Sequence, residues 1–379
     1  MRTRSLGPVA LLTALTVVAV ACGSDDDEGS TTTERTADVS PVVAGEAFPD
    51  DRCAANEAAG TITFLTGFDF AATASIIDVV VADANGYYDA MCLDVEVTPS
   101  FSTANYALVA DNDAQFASGG SFSEVVQYSQ TVGTDFVAAA VEGRSPIDGL
   151  ILKPGTAATL EDLEGATIGI KEKITTGVAA MLAQAGLHEG EQYQTVLIDG
   201  FDPLAHIAIA SIDGFPGYKS NEPGTLERAG VAFDLFDPID YDIPGSFGVI
   251  YTSREWAEAN PVALEDFMRA TMKGLADALA DPDAAVDAAM ALVEQSGNPM
   301  FLSEEGERFR WTTDAALIIA ETGAGEGPAV PLTDALQHEL DTYAEFGLFG
   351  DGGTPSATDH VDDVLAGIYD DDGTVIWPS

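Results

Sequence analysis

The chain has 379 residues, with 15 basic and 63 acidic side chains and a formal net charge of −48 at pH 7. Nucleic acid requires a basic binding surface, so this charge excludes it, and it also excludes electrostatic attraction to anionic lipid. Hydrophobic residues make up 46% of the chain, which is enough for a large core and unlike a disordered protein. The length predicts two domains or one large domain.

The first 22 residues have the organisation of an export signal. Arg2 and Arg4 precede an apolar run over 11–21, which ends at Cys22. This run is shorter than the roughly 20 apolar residues that span a bilayer. A cysteine at the cut resembles the bacterial lipoprotein signal, in which it receives a diacylglycerol and becomes the mature N-terminus. The resemblance implies a signal peptide over 1–21 and lipidation of Cys22, with the protein exported and held at the outer face of the cell membrane through lipid only; the alternative is an ordinary signal peptide with a chance cysteine.

Residues 22–52 carry acidic and hydroxyl side chains without an apolar period, which predicts a flexible acidic linker. Cys53 and Cys92 are the two cysteines that remain after Cys22. An exported chain lies in an oxidising compartment, so we expect a disulfide between them, with two free buried thiols as the alternative.

From residue 61 to 141 the pattern alternates between strands and helices. Apolar residues alternate with acidic ones in the strand over 93–97, and they recur at helical spacing over 72–84. Strands separated by helices imply a mostly parallel sheet with helices on both faces. The predicted strands are 61–65, 93–97, 114–117 and 136–141, and the predicted helices are 72–84, 103–110 and one that begins after Ser121.

A second series of strands and helices follows, and the chain then becomes helical. The tail over 323–379 has no clear motif, and we expect helices there with a short strand near 374–377. The second series has strands over 147–152, 166–170, 195–198, 211–215, 231–235 and 247–251, with helices over 175–186 and 200–209, and the later helices are 260–280, one from Pro282, and 333–346.

Motifs of catalysis and metal binding are missing from the sequence. The four histidines form no H-E-x-x-H pattern, and there is no G-x-S-x-G, P-loop or G-x-G-x-x-G motif. The acidic clusters at 111–113 and 370–373 lack the twelve-residue spacing of a calcium loop. We therefore expect no cofactor, no metal and no enzymatic activity.

Three motifs resemble those of a known family. The first is TITFL at 61–65, followed by GFDF at 67–70; the second is LEDLEGATIGI at 160–170; the third is GYKSNEP at 217–223. Together with the order of elements, they resemble the substrate-binding proteins of ABC importers. The resemblance is to the branch that serves thiamine-pyrimidine precursors, riboflavin, nitrate and aliphatic sulfonates, and it covers about 60–330.

The resemblance implies an α/β fold of the two-domain periplasmic-binding-protein type (type II), with a ligand cleft between domains joined by two crossovers. It also implies an ABC permease and its ATPase as partners of a monomeric binder. The implied domains are domain I at 56–148 and 250–379, and domain II at 149–249.

Candidate ligand-binding residues lie in loops at the carboxyl ends of the predicted parallel strands, where ligands sit in open α/β sheets. Glycines let backbone approach a ligand, helix starts suit an anion or a carbonyl, and aromatic rings stack on a flat ligand. The alternatives are ordinary helix capping for the hydroxyl and Asn positions and core packing for the aromatic rings. The candidates are Phe68, Asp69, Phe70, Ser118, Gly119, Gly120, Ser121, Thr175, Thr176, Gly177, Tyr218, Asn221 and Glu222.

Two ligand classes fit these residues. Asp69 and Glu222 suit the exocyclic amino groups of an aminopyrimidine, which favours a nitrogen heteroaromatic such as a thiamine-pyrimidine precursor or a flavin. The alternative is a small anion such as an alkanesulfonate or nitrate, held by a lysine or arginine. Other functional classes are an enzyme like those that synthesise the thiamine pyrimidine, and a sensor lipoprotein. The cations available for an anion are Arg144, Lys153, Lys171, Lys173 and Lys219.

Overall fold

A computed structural model of the chain describes residues 39–171, 173–299, 301–350 and 353–379. The predicted signal peptide and the lipidation site Cys22 lie outside these residues. Helix α1 spans Asp50–Ala59 and so begins inside the predicted linker. Before it, Val42 is buried and the Gly45 N–H donates to the Trp377 carbonyl at 2.9 Å. The fold therefore begins earlier in the chain than the composition of this segment predicts.

Five strands form a first sheet in the order β2-β1-β3-β10-β4. Strand β1 pairs in parallel with β2 and β3, whereas β10 runs antiparallel between β3 and β4. All eight residues of β4 and all seven of β10 are buried, as expected for strands covered on both faces. The strands are β1 Thr61–Leu65, β2 Asp94–Thr98, β3 Phe116–Gly119, β4 Phe136–Gly143 and β10 Phe247–Ser253.

A second sheet repeats this plan in the order β7-β6-β8-β5-β9. Strand β6 pairs in parallel with β7 and β8, and β5 runs antiparallel between β8 and β9. The carboxyl ends of the parallel strands therefore open into loops at one edge of each sheet. The strands are β5 Asp148–Leu152, β6 Thr167–Ile170, β7 Gln194–Leu197, β8 Gly214–Tyr218 and β9 Asp234–Phe236.

The chain passes between the two sheets twice. It leaves the first sheet after β4 through residues 144–147 and returns from β9 to β10 through 237–246. The predicted domain boundary at 148/149 lies at the start of β5, and the one at 249/250 falls inside β10, so the return occurs a few residues earlier than predicted. The division into two domains stays a proposal.

Thirteen α-helices are found in the described part of the chain. None of these helices is both long and apolar enough to cross a membrane. The helices after α1 are α2 Ile77–Ala84, α3 Tyr87–Ala90, α4 Ser102–Ala110, α5 Phe122–Val132, α6 Thr176–Gln184, α7 Pro203–Ile207, α8 Glu222–Arg228, α9 Arg254–Ala259, α10 Pro261–Ala280, α11 Pro282–Gln295, α12 Glu304–Glu321 and α13 Thr333–Glu345.

Helix α10 lies at the centre of the larger core. Its Phe267 is buried and stacks on Phe116 of β3, with ring centroids 4.2 Å apart, and on Tyr88 of α3 at 5.2 Å. Cys53 of α1 and Cys92, which lies just before β2, form a disulfide. Helix α1 packs on α10, so this bond ties the start of the fold to its core.

The structure differs from the sequence prediction in several elements. Helices α1, α3, α9 and α12 were not predicted, and the helix predicted over 200–209 is the five-residue α7. The helix predicted from residue 72 begins at Ile77 as α2, because Ser75 has a left-handed backbone with φ of 58°, which a right-handed helix does not contain. The strand predicted near 374–377 is an isolated bridge between Tyr369 and Val375.

Candidate functional site

Loops that follow strands of the two sheets meet, and the region where they touch is called the cleft below. The Phe68 ring, after β1, has its centroid 5.3 Å from that of Phe201, which follows β7. Lys173, after β6, donates from Nζ to Oε1 of Gln127 on α5 at 2.9 Å. These contacts join the carboxyl-end edges of both sheets, which is where open α/β sheets bind ligands.

Four phenylalanine rings cross the cleft and are called the aromatic cluster: Phe68, Phe101, Phe201 and Phe301. Phe68 meets Phe101 edge to face at 5.7 Å, while Phe101 and Phe201 are nearly parallel, at 10° with centroids 6.2 Å apart. Phe301 meets Phe201 edge to face at 5.5 Å. Phe101, Phe201 and Phe301 are 50%, 36% and 41% exposed, so the cluster offers ring surface to solvent.

Two cations lie against the aromatic cluster. Lys171 Nζ is 4.6 Å from the Phe201 ring centroid, and the Arg310 guanidinium carbon is 5.9 Å from that of Phe68. Arg310, on α12, also donates from Nε to Oδ1 of Asn221 at 3.1 Å. The predicted site residue Asn221 therefore binds α12 with its side chain and makes no capping bond to α8.

The Asp69 carboxylate is buried and orients backbone. Its Oδ1 accepts from the Phe70 N–H at 2.9 Å, and its Oδ2 accepts from the Asn298 N–H at 2.7 Å. Asp69 has a left-handed backbone with φ of 49°, a conformation that Asp tolerates better than most residues. This turn places the Phe68 ring at the cleft and the Phe70 ring in the core.

Three candidate residues lie inside the fold. Phe70 is 2% exposed, within the larger core. Ser118 is 3% exposed, and its Oγ lies 2.6 Å from Oγ of Ser75. A Cβ on Gly119 would lie 3.0 Å from Cγ2 of Val125, so this glycine lets α5 approach β3. In this conformation Phe70, Ser118 and Gly119 pack inside the fold behind the cleft.

Buried carboxyl groups bind the backbone of residues 72–75, between β1 and α2. The Ala72 N–H donates to Glu307 Oε2 at 2.7 Å, and the Ser75 N–H donates to Glu142 Oε1 at 2.7 Å. Between them, the Ala74 N–H donates to Oδ2 of Asp314 at 3.1 Å. Glu307 also forms an ion pair with Arg310. Glu307, Asp314 and Glu142 are called the carboxyl cluster below.

Burial raises the pKa of each member of the carboxyl cluster. It raises the pKa of Asp314 to about 6, and it raises the pKa of Glu307, against the opposing charge of Arg310. The pKa of Glu142 is raised well above its usual range by burial and by the neighbouring Asp78, whose own pKa burial raises to about 6. Protonation of this cluster is therefore easier than that of a solvated carboxyl group.

The start of α5 is also bound by a carboxyl group. Ser121 caps the helix by accepting from the Glu124 N–H at 3.2 Å, and the Ser123 N–H donates to Oε1 of Glu339 on α13 at 2.9 Å. Burial raises the pKa of Glu339. A Cβ on Gly120 would lie 2.5 Å from Glu124 Oε2, so this glycine makes room for the Glu124 side chain.

The start of α6 repeats the arrangement with Asp148 of β5. The Val178 N–H donates to Asp148 Oδ2 at 2.9 Å, and a Cβ on Gly177 would lie 2.4 Å from Asp148 Oδ1. Burial raises the pKa of Asp148. Thr175, just before α6, makes no capping bond with its side chain. The N-terminal turn of α6, which suits an anion, is therefore already occupied by the carboxyl group of Asp148.

Thr176 lines a cavity of about 250 Å³ between α5, α6 and α13. The lining residues also include Gln127, Tyr343 and Leu348. No other candidate site residue lines this cavity. Within the described residues, no group of three or more His, Cys, Asp or Glu side chains is arranged to hold a metal ion.

Tyr218 and Glu222 share one turn after β8. The Tyr218 N–H donates to Glu222 Oε2 at 2.8 Å, and Glu222 Oε1 lies 3.8 Å from Lys171 Nζ. Tyr218 is 44% exposed and Glu222 is buried. The phenol ring is thus available to a ligand, while the carboxylate forms the turn and pairs with the lysine.

The five cations considered for an anionic ligand divide into two groups. Lys171 and Lys173 lie at the cleft, as described above. The other three bind partners within the chain: Arg144 pairs with Glu326, Lys153 donates to the Ile209 carbonyl, and Lys219 pairs with Asp237.

Helices α12 and α8 form a close seam beside the cleft. A Cβ on Gly224 of α8 would lie 2.4 Å from the ring of Phe309 on α12. The guanidinium carbon of Arg228 lies 5.5 Å from the centroid of the same ring. A glycine at this position allows α12, which packs on the first sheet, to touch a helix of the second.

Comparison with known proteins places the chain in a family. The model of the family described as NMT1/THI5 like matches residues 73–285. The riboflavin-binding protein RibY of Chloroflexus aurantiacus is 28% identical over 230 residues, which are 57% of this chain and 62% of RibY, less than two thirds of its length. A formylaminopyrimidine-binding protein of Halalkalibacterium halodurans is 27% identical over 237 residues, which are 60% of this chain and 69% of that protein.

The fold is also that of solved binding proteins. The alkanesulfonate-binding protein SsuA of Xanthomonas axonopodis pv. citri, bound to MOPS, superposes with a TM-score of 0.57 at 15% identity, covering 80% of this chain and 98% of SsuA. The predicted family resemblance and the predicted α/β periplasmic-binding-protein fold are both confirmed.

Proposed function

Because this chain belongs to the NMT1/THI5-like family, we propose that it is the extracytoplasmic solute-binding subunit of an ABC importer, with a small nitrogen heteroaromatic as its ligand. Its two curated relatives are named for riboflavin and formylaminopyrimidine, both of which contain flat nitrogen rings. The ligand is released to a membrane permease, which an ATPase drives. The binder is monomeric, is held at the membrane through a lipid on Cys22, and is not an enzyme.

The observation that carries this proposal is the aromatic cluster. Phe68 and Phe101 come from loops of the first sheet, and Phe201 comes from a loop of the second. We call the parts of the molecule built on the first and on the second sheet its two lobes. A flat ring between the lobes stacks on such faces, and aromatic pairs add about 0.5–1.5 kcal/mol beyond the area that they bury. Closure of the two lobes then brings both sides of the cluster onto the ligand.

Charges near the cleft favour a ligand that donates hydrogen bonds. Glu124, Asp148 and Glu222 all lie close enough to the Tyr218 phenol to act on it electrostatically. Carboxylates accept bonds from the exocyclic amino groups of a pyrimidine or from the N–H of a flavin. They repel an anion placed at the same position.

A small anion is the second candidate, supported by Lys171 and Lys173 at the cleft. Lys171 is 3.8 Å from Glu222, and Lys173 Nζ is 4.0 Å from Glu124 Oε1, so both ammonium groups already have acidic neighbours. A sensor lipoprotein that uses the same cleft is a further alternative to transport. Genes for a permease and an ATPase next to the gene for this protein would favour import over sensing.

A ligand screen by melting temperature tests the proposal. The protein is residues 39–379, which lie within one compact unit, and the compounds are aminopyrimidines, thiamine, riboflavin, taurine, methanesulfonate and nitrate. A ligand present at 100 times its Kd stabilises the native state by about 2.7 kcal/mol. We expect a rise in Tm with a heteroaromatic compound and none with the anions.

Variants then locate the site. Phe201→Ala and Phe68→Ala should abolish the rise in Tm, while Leu197→Ala, which removes a 73% exposed side chain four residues before Phe201, should preserve it. A rise with methanesulfonate or nitrate alone contradicts the proposed ligand class. A rise in Tm with a heteroaromatic compound that is still measured in both Phe variants contradicts the proposed site.

A further inference from the structure

Carboxyl groups from distant parts of the chain bind the backbone N–H groups at three loop or helix starts around the cleft. These N–H groups lie after β1, at the start of α5 and at the start of α6. The acceptors are 0–6% exposed. The pairs are Ala72 with Glu307, Ala74 with Asp314, Ser75 with Glu142, Ser123 with Glu339, and Val178 with Asp148.

Backbone N–H groups at such positions are the ones that bind phosphate, sulfate or carboxylate groups in α/β folds, because their donors converge and the helix dipole favours negative charge. Here each start already has an acceptor supplied by the chain. An incoming anion would have to displace a buried carboxyl group and leave it without its partner, which is costly. Those of the carboxyl groups that are ionised also repel any anion that approaches them.

We propose that these internal carboxyl groups exclude anionic solutes, and that Glu307 is the residue that determines this specificity at the cleft. Glu307 binds the Ala72 N–H with one oxygen and pairs with Arg310 through the other. Arg310 in turn contacts Asn221 and lies over Phe68, so Glu307 neutralises one of the two cations that lie against the aromatic cluster. The inference deepens the proposed function and rests on the cleft being the binding site.

The test is a gain of binding. Glu307→Ala frees the Ala72 N–H and Nη1 of Arg310, while Nε and Nη2 of Arg310 stay bound to Asn221. The two freed donors together form a set for an oxyanion. Isothermal titration calorimetry with sodium methanesulfonate, at an ionic strength fixed with sodium chloride, measures the effect on residues 39–379. We expect the variant to bind methanesulfonate at least about tenfold more tightly than the unsubstituted protein, because one charge-assisted hydrogen bond contributes about that much to affinity.

Two matched variants separate the contributions. Glu307→Gln keeps an oxygen acceptor for the Ala72 N–H but removes the charge, so its gain should be smaller than that of Glu307→Ala. Glu305→Ala removes an exposed carboxylate from the same helix and should leave methanesulfonate affinity unchanged. If Glu307→Ala does not fold by circular dichroism, Asp314→Ala frees the Ala74 N–H of the same loop and should show the gain.

Folded Glu307→Ala protein with no more affinity for methanesulfonate than the Glu305→Ala control overturns the inference. Tight methanesulfonate binding by the unsubstituted protein also overturns it. If no heteroaromatic compound raises Tm in the screen, that result counts against the proposed function alone. The gain of anion binding is measured without such a compound.

Discussion

Helices α10 and α12 both bury one long face, and the two faces differ in their share of charged residues, because α10 buries two, Asp266 and Arg269, among twelve and α12 three among six. The buried face of α10 is mainly apolar, with Leu264, Phe267 and Leu275 among its residues. The buried face of α12 includes Glu307, Arg310 and Asp314, at the same helical spacing. Helix α10 therefore stabilises the fold mainly through burial of apolar area, whereas the charged residues of α12 lie beside the cleft at a cost in stability.

The largest expected effect is on the α10 side. Phe267→Ala removes a fully buried ring that stacks on Phe116 and Tyr88, and it should lower the free energy of unfolding by about 3–5 kcal/mol. Guanidinium unfolding monitored by circular dichroism measures this loss. Ile319→Ala, at a 59% exposed position of α12, is the control and should change stability by less than about 0.5 kcal/mol. Equal losses of unfolding free energy in Phe267→Ala and Ile319→Ala would contradict the view that the buried face of α10 provides the stability.

The disulfide should strengthen the α10 side by a similar amount. Cys53 and Cys92 are 39 residues apart, and closing such a loop contributes roughly 3–4 kcal/mol on the chain-entropy model. The double variant Cys53→Ala/Cys92→Ala should lose this stability and keep its ligand selectivity, as checked by urea unfolding and by the Tm screen. A changed ligand class in the double variant would contradict the separation of stability from selectivity.

On the α12 side, one substitution should stabilise the protein. The pKa of Asp314 is raised from 3.8 to about 6 by burial, so the native state resists its ionisation. Stability from this group is full below pH 3.8 and is lost as pH rises through about 6. Asp314→Asn is neutral at every pH and should add up to about 3 kcal/mol at pH 7.5 but only about 1 kcal/mol at pH 4.5.

Urea unfolding of both proteins at the two pH values measures this difference. The comparison between variant and parent cancels the general repulsion of a chain with a net charge of −48, which also changes with pH. If Asp314→Asn raises the free energy of unfolding equally at pH 4.5 and 7.5, or lowers it at pH 7.5, the result would count against a buried charge at Asp314.

The smallest expected effect on stability is at the seam between α12 and α8. Gly224→Ala improves helix propensity by roughly 0.5–1 kcal/mol, but its Cβ meets the Phe309 ring at 2.4 Å, so α8 and α12 must separate. We expect little change in unfolding free energy, a larger radius of gyration in small-angle scattering, and weaker ligand binding. An unchanged radius with unchanged affinity would indicate that the seam plays no part in closure.

Local patterns were sufficient for α10 but not for α12. Helix α10 follows Asn260 and carries apolar side chains at helical spacing, so its start and buried face were predictable. Helix α12 has charged side chains at the buried positions 307, 310 and 314, which a search for apolar periodicity does not detect. The cations and acids that its burial brings to the cleft were missed for the same reason.

Local sequence patterns also predict only part of the candidate site. The position of Phe68 was predictable because it directly follows the first parallel strand, and the turn at Asp69 lies beside it. Phe101, Phe201 and Phe301 are single aromatic residues near element ends, where no periodic pattern marks them. The Ala72–Glu307 contact joins residues 235 positions apart, a separation at which one sequence contains no local signal.

A crystal structure of residues 39–379 with the heteroaromatic compound that gives the largest Tm rise tests the proposed binding site most directly. We expect electron density for the ring in contact with Phe68 and Phe201, with the Ala72 N–H still bound to Glu307. Density for the ligand in the cavity lined by Gln127, Thr176 and Tyr343, or a ligand oxyanion on the Ala72 N–H in place of Glu307, would contradict this expectation.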